Sequence, residues 1–331
     1  MKPEDFLIEL LKMRSYSGEE NKYGYFLINR LKNKFKIVTQ KIKNSYNLLA
    51  YVGEPKILFS SHLDTVNGEI EIKKDRDYIY GRGACDTKSQ TAAMILACEK
   101  ALEEGKSNFG LLFTVCEEDD LEGAKEIVKI IPKSVKLIIL GEPTNLDLIA
   151  GHRGFIDFKL ICRGKSAHGS TPENGINAIE KLIDELNKLR RIKFEENKYL
   201  KGNALNIGVI SGGVSSNIVP DYAEANISIR NSVSSEKIIN KLKSSLNAEI
   251  EILNAADPVI SQGAEEFAKQ LEIKSIVVPY FTEAYYLSKC AKTFVIGAGT
   301  ILDAHSTHEK VKINELNRLV DIYSKIIDLK K

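Results

Sequence analysis

The sequence predicts an α/β fold: an α/β domain interrupted by an inserted ferredoxin-like α+β domain. Three observations carry that expectation. Up to about residue 150, amphipathic stretches alternate with short, almost wholly apolar runs, the rhythm of helices packed on a mostly parallel sheet. From about 152 to 255 the order becomes β-α-β-β-α-β, and after 256 the first rhythm resumes. The expected boundaries are therefore 1–151 for the first part of the α/β domain, 152–255 for the insertion and 256–331 for the remainder. At about 150 residues per domain, 331 residues suffice for two.

The elements follow in chain order. PEDFLIELLKM and GEENKYGYFLINRLKN space apolar residues at three- and four-residue intervals, as helices do. KILFSS, FGLLFTVC and KLIILG contain few polar residues and read as strands buried on both faces, with TKSQTAAMILACEKALEEG as a helix lying on their sheet. The insertion runs as strand FIDFKLICRG, helix NGINAIEKLIDELNKLRR, strands ALNIGVISG and YAEANISIRN, helix SSEKIINKLKSSL and strand AEIEIL. QGAEEFAKQLEI, KTFVIG and INELNRLVDIYSKIIDL close the chain.

With 47 Lys and Arg against 45 Asp and Glu, the net charge is +2. That balance gives no broad basic footprint for nucleic acid and points to a small-molecule partner. The five cysteines are scattered without a C-x-x-C pair, which argues against a disulfide framework or a structural zinc site and favours a reducing, cytoplasmic location. MKPEDFLIELL is acidic where a signal peptide needs a basic start, and no run approaches the roughly 18 apolar residues of a membrane span.

In open α/β sheets, ligands bind beyond the carboxyl ends of the strands. His62 and Asp64 follow KILFSS, Glu117 and Glu118 follow FGLLFTVC, and Glu142 follows KLIILG; His305 lies in the loop after KTFVIG, and Asp86 in GRGACDTKS before a helix. His62, Asp86, Glu118, Glu142 and His305 can converge on one rim as nitrogen and oxygen ligands for two divalent ions, zinc first, with cobalt or manganese as alternatives. The i, i+2 spacing lets Asp64 hydrogen-bond the His62 imidazole and fix its tautomer. The side chains of Glu117 and Glu118 are expected to diverge, one holding metal and the other facing the attacking water as general base. Taken singly each motif is weak, since EEDDLEG also reads as a solvated helix start with favourable N-terminal charge.

Together, their order and spacing resemble the M20 metallopeptidase family, which includes acetylornithine deacetylase, succinyl-diaminopimelate desuccinylase, aminoacylases and several di- and carboxypeptidases. SHLDTV resembles its H-x-D segment, GRGACDTKS its G-R-G-x-x-D-x-K segment and CEEDDLEGA its E-E-x-x-x-x-G-A segment; GEPT and AHSTHE complete the set. The resemblance implies that His62 and Glu142 bind one metal, that Glu118 and His305 bind the other, that Asp86 bridges both and that Glu117 is the base. Ser89 stands where a glycine is usual, and Cys116 where an aspartate is common; neither removes a ligand. GKSAHGSTPENGINAIEKL resembles the segment that delivers a histidine, here His168, to the partner subunit's site to stabilise the oxyanion, which implies a homodimer formed through the insertion. SGGVSSNIVPDYAEANISIR resembles the strand pair supplying an asparagine and an arginine, here Asn217 and Arg230, to the substrate carboxylate. On the residues alone, Asn217 reads as a turn residue before Pro220 and Arg230 as a surface strand residue.

His308 could compete with His305, but the H-x-x-x-E pattern selects His305 with Glu309 following. His152 in GHRG reads as a hinge-region hydrogen-bond donor, and Cys85 and Cys116 as buried filler. The glycines of GRG and GAGT lack the context of a phosphate loop. The expected activity is removal of an N-acyl group from a small amino acid. FTEAYYLS followed by VIGAGTILDAHSTHE puts acetylornithine deacetylase first, the desuccinylase second and an M20 dipeptidase or carboxypeptidase third. A binding protein without hydrolysis is the different class to weigh, and Glu117 together with all five metal ligands stands against it.

Overall fold

Phe109–Thr114, Ile57–His62, Leu137–Leu140 and Lys292–Val295 lie side by side in that order, each parallel to its neighbour. The first three are buried at every position, so Phe109–Thr114 and Leu137–Leu140 are almost wholly apolar, while Ile57–His62 ends in the buried polar residues Ser60, Ser61 and His62. This is a computed structural model, and it describes residues 1–329; residues 330 and 331, at the end of the expected closing segment, lie outside the described residues. The chain divides into two compact units: Met1–Ala150 with Ser261–Ile276 and the segment from Tyr286 onward, and Gly151–Ile260 with Val277–Tyr285.

The first unit also holds strands that the apolar runs did not disclose. Lys36–Ile42 and Ser45–Val52 form a hairpin turning at Lys43, whose φ is +48°, and Ser45–Val52 joins Phe109–Thr114 antiparallel. Lys36–Ile42 is an edge strand, mostly half-exposed, so its Lys and Gln residues mask the strand pattern. On the other side, Leu148–His152 pairs antiparallel with Lys292–Val295. Lys88–Glu103 is buried on nearly all sides, because Pro3–Leu11 and Ile313–Asp328 pack against it. Its Ala92, Ala93, Ala97 and Ala101 permit that close approach. The Tyr323 ring packs on Phe59 at 5.1 Å, and its hydroxyl donates to the Ile296 carbonyl at 2.8 Å. Among the described residues no helix is long and apolar enough to cross a membrane.

The second unit contains Phe155–Arg163, Ala178–Arg191, Ala204–Gly212, Tyr222–Arg230, Ser235–Ser245 and Glu249–Ala256, in the expected β-α-β-β-α-β order. Its four strands are antiparallel in the ferredoxin-like order Ala204–Gly212, Tyr222–Arg230, Phe155–Arg163, Glu249–Ala256. Tyr222–Arg230 alternates strictly: Ala223, Ala225, Ile227 and Ile229 face a core that includes Leu182, Leu186, Ile238 and Leu242. The Asn177 side chain starts Ala178–Arg191 by accepting the Ile179 and Glu180 N–H groups at 2.9 and 3.2 Å. Ala204–Gly212 is an edge strand exposed along almost its whole length, presenting Leu205, Val209 and Ile210 to solvent.

His152 is buried at the start of this unit, with its ring nitrogen Nδ1 donating to the Arg153 carbonyl at 2.9 Å and Phe281 edge-on at 5.3 Å. Its Nε2 has no hydrogen-bond partner among the described residues. Burial pushes the imidazole down from 6.5 to about 4, against the opposing pull of the Arg153 carbonyl. The unfolded chain takes up this proton near pH 6.5 and the native protein only near 4, so stability falls as the pH drops through that window. The full contribution is about 3 kcal/mol. Denaturant titrations from pH 7 to pH 4 should show a shallower loss for His152→Phe than for the wild type; parallel curves would remove His152 from the acid response.

Candidate metal centre and active site

Because the four central strands are parallel, their carboxyl ends open on one rim. His62 is the last residue of its strand; Glu142 stands two residues beyond Leu140, Glu117 and Glu118 just beyond Thr114, and His305 in the loop after Val295. Asp86 lies two residues ahead of the helix Lys88–Glu103. The donor atoms of His62, Asp86 and Glu142 fall within 4.8 Å of one another, and so do those of Asp86, Glu118 and His305. Asp86 belongs to both groups. His308 belongs to none of the groups found among the described residues.

Two details depart from the sequence expectation. The His62 Nδ1–H donates to the backbone carbonyl of Asp64 at 2.8 Å, while the Asp64 carboxylate stands 3.6 Å away. That carboxylate is fully buried and does another job: Oδ1 accepts the Glu117 N–H and Oδ2 the Glu118 N–H, each at 3.0 Å, and Ser17 Oγ donates to Oδ2 at 2.7 Å. The second departure concerns the glutamate pair, which sits in a turn rather than at a strand end. Cys116 turns the chain with φ +59°, so donor atoms of Glu117, Glu118 and His62 also come within 4.8 Å of one another. Gly123 allows the same turn to close, since a Cβ there would lie 2.1 Å from the Val115 carbonyl oxygen.

Glu309 ties the Asp86 loop from the other side. Its Oε1 accepts the Cys85 and Asp86 N–H groups at 3.0 Å, and its Oε2 the Arg82 guanidinium at 2.7 Å. The sequence singled out neither this role nor Ser17 and Glu20; Ser17 lies outside the segments singled out, and Glu20 reads only as part of the helical segment GEENKYGYFLINRLKN. Ser89, the residue in place of a glycine, is buried and donates to the Gln90 side chain.

The electrostatics suit divalent cations. His62 Nε2 faces Asp86 Oδ1 at 3.1 Å, and His305 Nε2 lies 2.8 Å from Glu118 Oε1 and 3.3 Å from Asp86 Oδ2. Carboxylates outnumber imidazoles in the cluster, an excess that favours a cation. Asp86 and Glu118 push the His305 imidazole up to about 10. For His62, burial opposes the cation, but Asp64 and Asp86 outweigh it and raise the imidazole well above its usual value. Burial would raise the Asp86 carboxyl, yet the His305 and His62 contacts hold it below the usual range. Burial and the Glu20 and Asp64 carboxylates push the Cys116 thiol up to about 12, so it offers no thiolate. A donor set of imidazole and carboxylate without thiolate fits zinc, cobalt or manganese.

In the second unit, His168 pairs with Ile218 across the short strands Ala167–His168 and Ile218–Val219, and Gly169 N–H donates to the Asn217 carbonyl at 2.7 Å. Only glycine fits there, because a Cβ on Gly169 would stand 2.8 Å from the Asn217 carbonyl carbon. The Ser170 N–H donates to His168 Nδ1 at 3.2 Å and the Ser170 hydroxyl lies 2.7 Å from the same nitrogen, so Ser170 holds that side of the ring. Arg230 is exposed, forms no salt bridge among the described residues and lies over the Phe155 ring at 5.8 Å. It ends the strand that Tyr222 begins, and at about 3.3 Å per residue roughly 25 Å of strand separates it from the end of the sheet near His168 and Asn217. His168 and Asn217 are brought together; Arg230 is not brought to them.

Comparison with known proteins agrees with this picture. Residues 150–254 match the peptidase dimerisation domain of M20 proteins. A peptidase M20 domain-containing protein of Schizosaccharomyces pombe is 31% identical over 96% of this chain and 82% of its own length. A probable carboxypeptidase of Aspergillus clavatus is 32% identical over 97% of this chain and 86% of its own. The crystal structure of a tripeptidase from Staphylococcus aureus superposes with a TM-score of 0.83 at 22% identity, covering 99% of this chain and 97% of that one. With two relatives above 30% identity along nearly its whole length, this chain belongs to the M20 metallopeptidase family, whose members are metal-dependent hydrolases acting on peptide bonds.

Proposed function

We propose that this chain is a dinuclear metal-dependent hydrolase that cleaves the amide bond beside a free carboxylate, in a short peptide ahead of an N-acyl amino acid. The observation that carries the proposal is Asp86, which shares its carboxylate between the His62–Glu142 group and the Glu118–His305 group. Relatives named carboxypeptidase and tripeptidase favour a peptide substrate. The FTEAYYLS segment favours the second reading, acetylornithine deacetylase. The five free thiols fit a reducing compartment such as the cytoplasm.

His62 and Glu142 would hold one divalent ion and Glu118 and His305 the other, with Asp86 between them. When bound, such ions supply the Lewis acidity that polarises a carbonyl and makes a water acidic. Glu117 takes the proton of the attacking water and passes it to the leaving amine. His168 donates to the developing oxyanion, and the Arg230 guanidinium takes the substrate carboxylate together with the Asn217 amide, which, lying beside His168, comes with it from the partner subunit. The distance along the sheet between Arg230 and the His168–Asn217 end supports a site completed by the partner subunit's His168. The exposed edge strand Ala204–Gly212, with Val209 and Ile210 in solvent, supports a homodimer joined through this sheet.

Exhaustive chelation should abolish hydrolysis and zinc, cobalt or manganese should restore it, with metal analysis reading two ions per chain. Activity in verified metal-free protein would end the proposal. Among acetylornithine, succinyl-diaminopimelate, acetyl-lysine and a set of di- and tripeptides, a peptide should give the highest kcat/KM; acetylornithine leading the series would establish the second reading instead.

Glu117→Gln should keep both metals while kcat falls by a factor on the order of 10² to 10⁴, whereas Glu118→Ala should lose metal. An unimpaired Glu117→Gln enzyme would place the base elsewhere. Val209→Lys with Ile210→Lys should shift the sedimentation coefficient from dimer to monomer. Mixing inactive His168→Ala with inactive Glu117→Gln protein should recover activity, because a mixed dimer then holds one site with neither substitution; no recovery after proven subunit exchange would argue that His168 acts within its own chain.

A further inference from the structure

The segment from Tyr16 to Glu20 carries no donor of the cluster, yet it braces the turn that carries two. Ser17 Oγ donates at 2.7 Å to Asp64 Oδ2, the same oxygen that accepts the Glu118 N–H, and Asp64 Oδ1 accepts the Glu117 N–H. Glu20, 1% exposed, accepts the Cys116 N–H at 3.3 Å and the Gly18 N–H at 2.9 Å through Oε1, and the Ser45 hydroxyl through Oε2. Three successive backbone N–H groups, at 116, 117 and 118, therefore end on two buried carboxylates. Successive N–H groups in a turn with a left-handed residue form a concave anion-binding nest, and here the anions are side chains of the protein. The segment is itself fastened beside the His62 strand, where Thr65 N–H donates to the Ser15 carbonyl at 2.8 Å.

Cys116 adopts φ +59°, a conformation that a non-glycine residue keeps only when its surroundings enforce it. If the nest loosens, the backbone of Glu117 and Glu118 moves, and both carboxylates leave their places beside His62. We propose that Ser17 and Glu20 are positioning residues of the hydrolytic site, Ser17 acting through Asp64 and Glu20 through Cys116. The proposal rests on the reading of Glu117 as the base and Glu118 as a metal ligand.

The test compares Ser17→Ala, Ser17→Thr and Glu20→Gln with the wild type in the full-length, metal-loaded protein. It measures kcat and KM on the best substrate, and amide hydrogen exchange at residues 116–118. Ser17→Ala should lower kcat by about 10- to 100-fold with KM close to wild type, and should speed exchange at Glu117 and Glu118. Ser17→Thr, which keeps the hydroxyl, should restore both; Glu20→Gln should speed exchange at Cys116. Wild-type kcat and exchange in Ser17→Ala would overturn the proposal. So would a Ser17→Thr protein as impaired as Ser17→Ala, which would make the effect one of packing alone. If the wild type hydrolyses no amide, the functional reading falls while the exchange data still decide the brace: faster exchange supports it and unchanged exchange overturns it.

Discussion

The buried carboxylate of Asp64 is the constraint on which the site depends. It sits between the end of the His62 strand and the turn after Phe109–Thr114, two parallel neighbours that the Leu63 N–H also joins by donating to the Thr114 carbonyl at 2.8 Å. A buried anion persists only where donors surround it, and Asp64 has two backbone N–H groups and a serine hydroxyl. These contacts and the His62 imidazole outweigh the effect of burial and hold its carboxyl below the usual range. The carboxylate therefore stays ionised and the turn stays in place. Its backbone carbonyl meanwhile takes the His62 Nδ1 proton, so one residue sets both the tautomer of a prospective ligand and the position of its neighbours on the next strand.

Glu309 repeats the device on the opposite wall of the cluster. Arg82 balances its charge, and two N–H groups of the Cys85–Asp86 backbone fill its other oxygen. Asp86 is thus aimed by a residue from the far end of the chain, only four positions after His305. The two carboxylates that carry no cluster donor, Asp64 and Glu309, fix the backbones that carry Asp86, Glu117 and Glu118. This division of labour lets the donor carboxylates keep their lone pairs turned toward one another in spite of their mutual repulsion, the arrangement that a divalent cation favours.

What the sequence discloses follows from the physics of each element. The strands Ile57–His62, Phe109–Thr114 and Leu137–Leu140 are buried on both faces, which favours apolar runs; the residues at their carboxyl ends were legible because those runs mark where each strand stops. The ferredoxin-like order was legible because Tyr222–Arg230 has one core face and one open face, and so alternates. The hairpin Lys36–Ile42 and Ser45–Val52 was not, because its edge strand carries polar residues on both faces and its turn residue is a lysine in a left-handed conformation. Ser17, Glu20 and the task of Glu309 were hidden for a different reason. They act by accepting or donating to backbone groups distant in sequence, and any polar residue in a loop looks alike until the chain is folded.

The inserted unit shows how far one chain can complete its own chemistry. Ser170 holds one side of the His168 ring, and Arg230 forms no salt bridge among the described residues. The nine-residue strand that Arg230 ends separates it from the end of the sheet near His168. A short peptide spans only about 3.3–3.6 Å per residue, so a dipeptide or N-acyl amino acid cannot reach from one to the other within a chain. The sheet edge Ala204–Gly212 offers unpaired backbone groups and apolar side chains together, the combination by which sheets join. In the proposed homodimer, a second copy added along that edge would give a small substrate access to both groups.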